Sequence, residues 1–99
     1  MILEFAQIAV RPSSEKQFEA IFPAAIKVLA SSKGYISHQL QRSIENPNRY
    51  VLLVQWQTLE DHTVGFRGSP AFAEWRAYIG PFFESSPVVE HLQMVTSSV

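Results

Sequence analysis

Short polar or Gly/Pro-containing clusters divide this chain at regular intervals into strand-like and helix-like segments. Apolar residues alternate with a period of two in some segments and recur at helical spacing in others. The order is β-α-β-β-α-β, with strands over residues 2–10, 35–44, 49–57 and 88–96. It predicts an α+β, ferredoxin-like fold in which a four-stranded antiparallel sheet carries both helices on one face.

The starts of the two helices are predicted from signals at their ends. Ser14 followed by Gln17 fits a capping box at the first helix. Ser69-Pro70 starts the second helix, with Ser as N-cap and Pro at the first helical position. Pro23 lies inside the first helix, where we expect a kink rather than a break, because the apolar stripe keeps its phase on both sides of it.

The strands are apolar on both faces, which one layer of helices cannot cover. In the third strand, Val51 and Leu53 lie on one face, and the other carries Tyr50, Leu52, Val54 and Trp56. The chain offers no third layer, so the simplest cover is a second copy packed sheet against sheet. We therefore expect a homodimer through the sheet faces, with Val51 and Leu53 buried between subunits.

Composition narrows the classes of function. A chain of 99 residues is expected to form a single domain over residues 1–99. It has no cysteine, and its 8 Lys and Arg nearly balance its 9 Asp and Glu, so no nucleic-acid partner is expected. Neither a signal-peptide pattern nor an apolar run of about 18 residues occurs, so we expect no membrane partner and a cytoplasmic location.

Motifs for cofactor binding are also missing. The three histidines, His38, His62 and His91, do not form a pair with the spacing of a helical metal site, and there is no HExxH. The sequence has no Gly-rich phosphate loop and no nucleophile elbow. We therefore predict no metal and no organic cofactor.

Several motifs along the chain together resemble a known family. They are Tyr50-Val51-Leu52-Leu53-Val54-Gln55-Trp56, His62, Gly65-Phe66-Arg67-Gly68-Ser69-Pro70-Ala71-Phe72, Trp75-Arg76, Pro81-Phe82-Phe83 and Val89-Glu90-His91. In this order they resemble the antibiotic biosynthesis monooxygenase (ABM) domain family of dimeric α+β barrels. The likeness covers nearly the whole chain and is densest from Tyr50 to His91.

The resemblance implies a homodimer of ferredoxin-like subunits, each with a pocket between its sheet and its helices. Some members oxidise polycyclic phenols to quinones with O₂ and neither metal nor flavin; others degrade haem, and others act on small signalling molecules. Such a family determines the fold more closely than the chemistry. The haem-degrading members use an Asn on the first strand, a third-strand Trp and a helix His. Here Gln7 and Trp56 occupy the first two positions, and Trp75-Arg76 offers no ligand, which disfavours haem degradation.

Two residues are candidates for catalysis. His62 could transfer a proton, because an imidazole titrates near neutrality. The alternative is a surface His beside Glu60 and Asp61. Gln7 is expected to be a buried amide on a central strand, where a substrate oxygen could be its partner. The alternative is a structural hydrogen bond.

A second group of residues is expected to bind a small aromatic ligand. Arg67 could clamp an anionic edge of the substrate, and a surface or capping role is the alternative. The aromatic candidates could line a pocket or fill the core. They are Trp56, Phe66, Phe72 and Trp75.

These residues are compatible with two kinds of function. The first is a cofactor-independent monooxygenase that oxidises a small phenol- or quinol-type substrate with O₂ in a dry pocket between sheet and helices. The second is a non-catalytic small-ligand-binding or stress-linked dimeric domain. An imidazole or amide pointing into a cavity would favour the first, and a collapsed cavity with His62 on the surface would favour the second.

Overall fold

The computed structural model describes residues 1–99 and has the predicted order of elements. The strands are β1 (Ile2–Ala9), β2 (Tyr35–Arg42), β3 (Arg49–Trp56) and β4 (Val88–Leu92). The long helices are α1 (Glu15–Ala30) and α2 (Pro70–Ile79). A π-helical turn (Asp61–Phe66) precedes α2, and a 3₁₀ turn (Gly80–Phe82) follows it. The ferredoxin-like α+β fold is confirmed, although β2 and β4 end earlier than predicted.

The four strands form one antiparallel sheet in the order β2-β3-β1-β4. Strand β1 is therefore central, with β3 on one side and β4 on the other. Glu4 of β1 lies opposite Val54 of β3 and His91 of β4. Directly opposed residues share a sheet face, so this register places Glu4 and His91 side by side.

The hydrophobic core lies between the sheet and the two helices. Apolar residues of β1 and β3 alternate inward, and α1 presents the stripe that its helical spacing predicts. Burying a large apolar side chain of this kind stabilises the fold by about 1.5–3 kcal/mol. The fully buried members with the largest side chains are Trp56, Phe18, Phe66, Leu29, Leu52 and Ile79.

The helix starts agree with the predicted boundaries, but one predicted contact is missing. Helix α1 begins at Glu15 after Ser14, and it is continuous through Pro23. Ser14 makes no side-chain capping bond, so the predicted capping box is wrong; its carbonyl oxygen accepts the Phe18 N–H at 3.0 Å instead. Helix α2 begins at Pro70 after Ser69, as predicted.

The π-helical turn positions two aromatic rings toward the interior. The Arg67 N–H donates to the carbonyl of His62, five residues earlier, at 3.1 Å. Such wide turns often occur at functional sites. The Gly68 N–H donates to Val64 O at 2.9 Å, and a Cβ at position 68 would lie 2.6 Å from that oxygen. Gly68 therefore permits the close turn that buries His62 and Phe66 while Arg67 stays exposed.

The outer face of the sheet carries apolar residues of β1, β3 and β4, with Glu90 of β4 opposite Phe5 among them. Phe5 lies opposite Leu53, and Leu3 lies opposite Leu92, which is 41% exposed. The outward residues of β2 are polar instead: Ser37, Gln39 and Gln41. The two apolar faces predicted for β1 and β3 are therefore present. None of the helices combines the length and the hydropathy needed to cross a bilayer.

Candidate active site

A buried carboxylate lies on the inner face of the central strand. Glu4 shares that face with Ala6 and Ile8, and only 4% of it is exposed. The indole Nε1–H of Trp56 donates to Glu4 Oε1 at 3.0 Å. A buried charge is costly unless polar groups surround it, so this indole hydrogen bond is a specific stabilising contact.

A histidine from the π-helical turn completes the surroundings of this carboxylate. His62 is 3% exposed, and its ring stacks on Trp56 with centroids 5.1 Å apart and planes 18° from parallel. His62 Nε2 lies 3.3 Å from Glu4 Oε1, and His62 Nδ1 lies 2.7 Å from His91 Nε2. We call these three residues the Glu4–His62–His91 cluster.

Burial shifts the pKa of every member of this cluster toward the uncharged form. It raises the pKa of Glu4 above 4.5, although the Trp56 hydrogen bond and the charge of Arg67 act in the opposite direction. Burial, with repulsion from Arg67 and His91, lowers the pKa of His62 from 6.5 to about 3. Burial and Arg67 also lower the pKa of His91. Both histidines are therefore neutral at neutral pH.

The neutral histidines determine which atoms donate when Glu4 is ionised. A carboxylate only accepts, and a neutral imidazole has one N–H and one acceptor nitrogen. When Glu4 is ionised, the His62 tautomer with its proton on Nε2 places that N–H beside Glu4 Oε1, 3.3 Å away, and His91 Nε2–H then donates to His62 Nδ1. Glu4 Oε1 accepts the Trp56 indole N–H and lies beside His62 Nε2, while Glu4 Oε2 makes no hydrogen bond within the chain.

Glu4 and His62 lie on the wall of a cavity between the sheet and the second helical region. Its volume is about 330 Å³, at the small end for ligand pockets and suited to one small aromatic molecule. Most of its walls are apolar. The lining residues are Glu4, Ala6, Ile8, Leu29, Leu52, His62, Phe66, Arg67, Phe72, Trp75, Arg76, Ile79, Phe83, Pro87 and Val89.

Two exposed arginines are part of the same cavity lining. Arg67 follows the π-helical turn, and Arg76 lies in the last turn of α2. Neither guanidinium forms a salt bridge or a side-chain hydrogen bond. The Arg76 guanidinium lies 5.9 Å from the ring centre of Phe72 and 5.7 Å from that of Phe83, so aromatic faces hold it at the cavity.

The structure gathers no group of three or more His, Cys, Asp or Glu side chains arranged to hold a metal ion. A second concavity, of about 500 Å³, is lined mainly by polar residues from the outer side of the sheet and its adjoining loops. Gln7 lines this second concavity and is exposed.

Comparison with known proteins agrees with the fold. A family model described as antibiotic biosynthesis monooxygenase matches residues 1–78. The chain belongs to this family. It is 43% identical over 95 residues to the uncharacterized protein YczJ of Bacillus subtilis (strain 168), covering 96% of this chain and 100% of YczJ.

Solved structures from the same family are also similar. A Bordetella bronchiseptica protein assigned to antibiotic biosynthesis monooxygenases has a TM-score of 0.92 and 42% identity, covering 96% of this chain and 97% of that one. SnoaB, a cofactor-independent oxygenase from Streptomyces nogalater, has a TM-score of 0.83 at 16% identity, covering 98% and 95%. At that identity the likeness to SnoaB shows a shared fold.

Most of the site residues predicted from the sequence lie together. His62 is buried rather than on the surface, and it lines the cavity beside four predicted substrate-binding residues, Phe66, Arg67, Phe72 and Trp75. Trp56 is completely buried and does not line the cavity; it lies behind His62 and holds Glu4.

Gln7 lies apart from the other candidates. The predicted burial of its amide is wrong, because the alternation of β1 turns Gln7 to the outer face, away from His62. Its strand neighbours Ala6 and Ile8 are buried, but they point to the opposite face.

Sequence reasoning missed Glu4 and did not include His91 among the candidate site residues. The signal for Glu4 was the alternation itself, because residues two apart share a face and Ala6 and Ile8 are inward. A carboxylate on an inward position is unusual enough to indicate a site. The pairing of Glu4 with His91 depends on the β1–β4 register, which the strand pattern alone did not give.

Proposed function

We propose that this member of the family is a cofactor-independent monooxygenase, which oxidises a small phenol-type substrate with O₂ in the cavity between sheet and helices. The observation that carries the proposal is a buried carboxylate on the wall of an apolar cavity. Glu4 there accepts a hydrogen bond from Trp56, and His62 Nε2 lies 3.3 Å from the same oxygen. Such a group can take a phenolic proton in surroundings that exclude water.

Glu4 fits the role of base better than His62. An imidazole with a pKa of about 3 holds a proton poorly, whereas burial raises the pKa of Glu4. Because the pKa of Glu4 is raised, it lies closer to the pKa of a phenol, which is ordinarily about 10. Glu4 Oε2, free of contacts within the chain, is the accepting atom. The role that the sequence suggested for His62 thus becomes one of positioning.

His62 orients the carboxylate and lets it ionise. Its Nε2 lies 3.3 Å from Glu4 Oε1, and its Nδ1 is hydrogen-bonded to His91 Nε2, which favours the tautomer with the proton on Nε2. The stacking on Trp56 keeps the imidazole plane in place. This is the arrangement of a base with a second group that positions it.

The substrate supplies every electron in this reaction. Glu4 takes the phenolic proton, and the phenolate transfers an electron to O₂, giving a phenoxyl radical and superoxide. These combine at a ring carbon, and Glu4 returns its proton to the peroxide. Loss of the ring C–H proton and cleavage of the O–O bond then release water and leave a quinone. One oxygen atom stays in the product, and the other leaves as water.

Oxygen uptake with a panel of phenols tests this function. We expect purified protein to convert at least one monocyclic or bicyclic phenol to its quinone, consuming one O₂ per quinone and producing no H₂O₂. Labelled O₂ should leave one labelled oxygen in the quinone. Ligand binding by the same phenols without oxygen uptake would contradict the proposal and favour a non-catalytic ligand-binding domain.

The proposal includes assembly as a homodimer through the outer face of the sheet. Its support is the apolar surface there, where Phe5 opposes Leu53 and Leu3 opposes Leu92. Apolar patches of this kind mark interfaces in proteins of this size. A two-fold axis through the patch would let two copies cover each other.

A charge placed in that surface tests the assembly. We expect the wild type to have the mass of a dimer by light scattering at micromolar concentration, and Leu53→Asp to have the mass of a monomer. The reason is that an unpaired carboxylate would be buried between the subunits. Ala24→Asp, at an exposed position of α1 on the helix side of the sheet, is the control and should stay dimeric. A wild type that elutes and scatters as a monomer contradicts this part of the proposal.

A further inference from the structure

Two guanidiniums line the cavity without any acidic partner in the chain. Arg67 and Arg76 are exposed and form no salt bridge, whereas Arg42 of the edge strand β2 pairs with Glu19 of α1. Surface arginines often pair with neighbouring carboxylates. Two arginines without a salt bridge on the lining of one small cavity leave one positive charge in excess of the Glu4 carboxylate there.

The surroundings of Arg76 keep its charge close to the cavity. Its guanidinium lies within 6 Å of the ring centres of Phe72 and Phe83, and both rings line the same cavity. Contact with aromatic faces restricts a long side chain and leaves its N–H donors free for a ligand. The Arg76 guanidinium is therefore positioned to bind an anionic group beside an aromatic ring.

The charges in the cavity are arranged asymmetrically. The buried polar groups, Glu4 and His62, lie on the strand and π-turn wall, while the guanidiniums are exposed. Arg67 and Arg76 share this lining with Glu4 and His62. A ligand that matches these groups has an apolar ring, a phenolic hydroxyl that reaches Glu4 and an anionic group that reaches the guanidiniums.

We propose that the substrate is an acidic aromatic molecule, a phenol that also carries a carboxylate or a similar anionic group, which Arg67 and Arg76 bind at the exposed end of the cavity. This inference rests on the proposed function for the phenolic hydroxyl. The anion-binding part stands on the two arginines alone. Guanidiniums bind carboxylates through paired N–H donors, which would fix the direction in which the ring enters.

A pair of inert probes separates binding from turnover. 2-Naphthoate and its uncharged amide, 2-naphthamide, have nearly the same shape and no oxidisable hydroxyl. We expect the wild type to bind naphthoate about tenfold or more tightly, and the preference to shrink as NaCl is raised, because exposed charges are screened by salt. Isothermal titration calorimetry measures both dissociation constants.

Variants of the two cavity arginines test whether they cause the preference for naphthoate over naphthamide. Arg67→Gln and Arg76→Gln should each reduce the ratio of the two dissociation constants, and the double variant should abolish it. Arg49→Gln, at an exposed position on the outward side of β3, is the matched control and should keep the wild-type ratio. Because both cavity arginines are exposed, the melting temperatures of these variants should match that of the wild type.

Three results would overturn the inference: failure of both probes to bind, equal binding of the two, or a preference that survives in the double variant. The proposed function fails separately. Preference for naphthoate without oxidation of any phenol would retain the anion site and overturn the monooxygenase. If the protein oxidises uncharged phenols but binds naphthoate and naphthamide equally well, the monooxygenase function is retained and the anion site is overturned.

Discussion

Glu4→Gln is expected to lower kcat for phenol oxidation by about 10²- to 10⁴-fold, the usual contribution of a positioned base. Glutamine keeps the shape of the side chain, and its carbonyl oxygen can still accept the Trp56 indole N–H. The amide cannot take a proton from the substrate. KM should change little, since the apolar walls and the arginines remain.

The pH dependence gives this prediction a second readout. The raised pKa of Glu4 means that activity should increase as pH rises through that pKa and the carboxylate ionises. His62, with a pKa of about 3, adds no acid limb between pH 5 and 8. The limb should disappear in Glu4→Gln, whereas Gln17→Glu, at an exposed position of α1, should keep the wild-type profile. Full activity in Glu4→Gln, with the same acid limb, would exclude Glu4 as the base.

The strand and helix pattern predicted this fold because its signals are local. Alternation in β1 and β3, the Ser69-Pro70 start of α2 and the apolar stripe of α1 each depend on residues close in sequence. The capping box at Ser14 was also a local signal, but a capping box requires particular side-chain rotamers, which spacing does not specify.

The site was only partly predictable because it depends on contacts between distant segments. The residues of the π-turn and α2 lie close together in the sequence, and most of them were identified as cavity residues. Glu4 and His91 are 87 positions apart and meet only through the β1–β4 register. The lowered pKa of His62 could not be predicted from the sequence either. It results from burial of the imidazole ring, on which Trp56 and Phe66 pack.

The sequence prediction chose the wrong one of two polar residues in β1. Glu4 and Gln7 both lie within the apolar run of this strand, but an odd number of positions separates them, so they lie on opposite faces. The resemblance directed attention to Gln7, whereas the period of two directs it to Glu4. Since one face of a strand packs on the helices, a single inward neighbour such as Ala6 is enough to choose between them.

His62→Phe is expected to change how stability depends on pH. In the wild type, the pKa of His62 is about 3 in the folded state and 6.5 ordinarily, so only the unfolded chain binds the proton between these values. The stability that the neutral imidazole contributes is therefore complete above pH 6.5 and is lost as pH falls toward 3. The slope for one such group is at most about 1.4 kcal/mol per pH unit.

Phenylalanine keeps an aromatic ring for stacking on Trp56 and has no proton to bind. The variant should lose stability at pH 7, by about 1–3 kcal/mol, because Glu4 and His91 lose a buried hydrogen-bond partner. Its free energy of unfolding should then fall less steeply than that of the wild type between pH 6.5 and 4. Urea unfolding at several pH values measures both effects. Gln57→Phe, at an exposed position without a titratable group, is the control and should leave the acid slope as steep as in the wild type. An unchanged slope in His62→Phe would mean that the buried imidazole is not the group whose protonation destabilises the protein in acid.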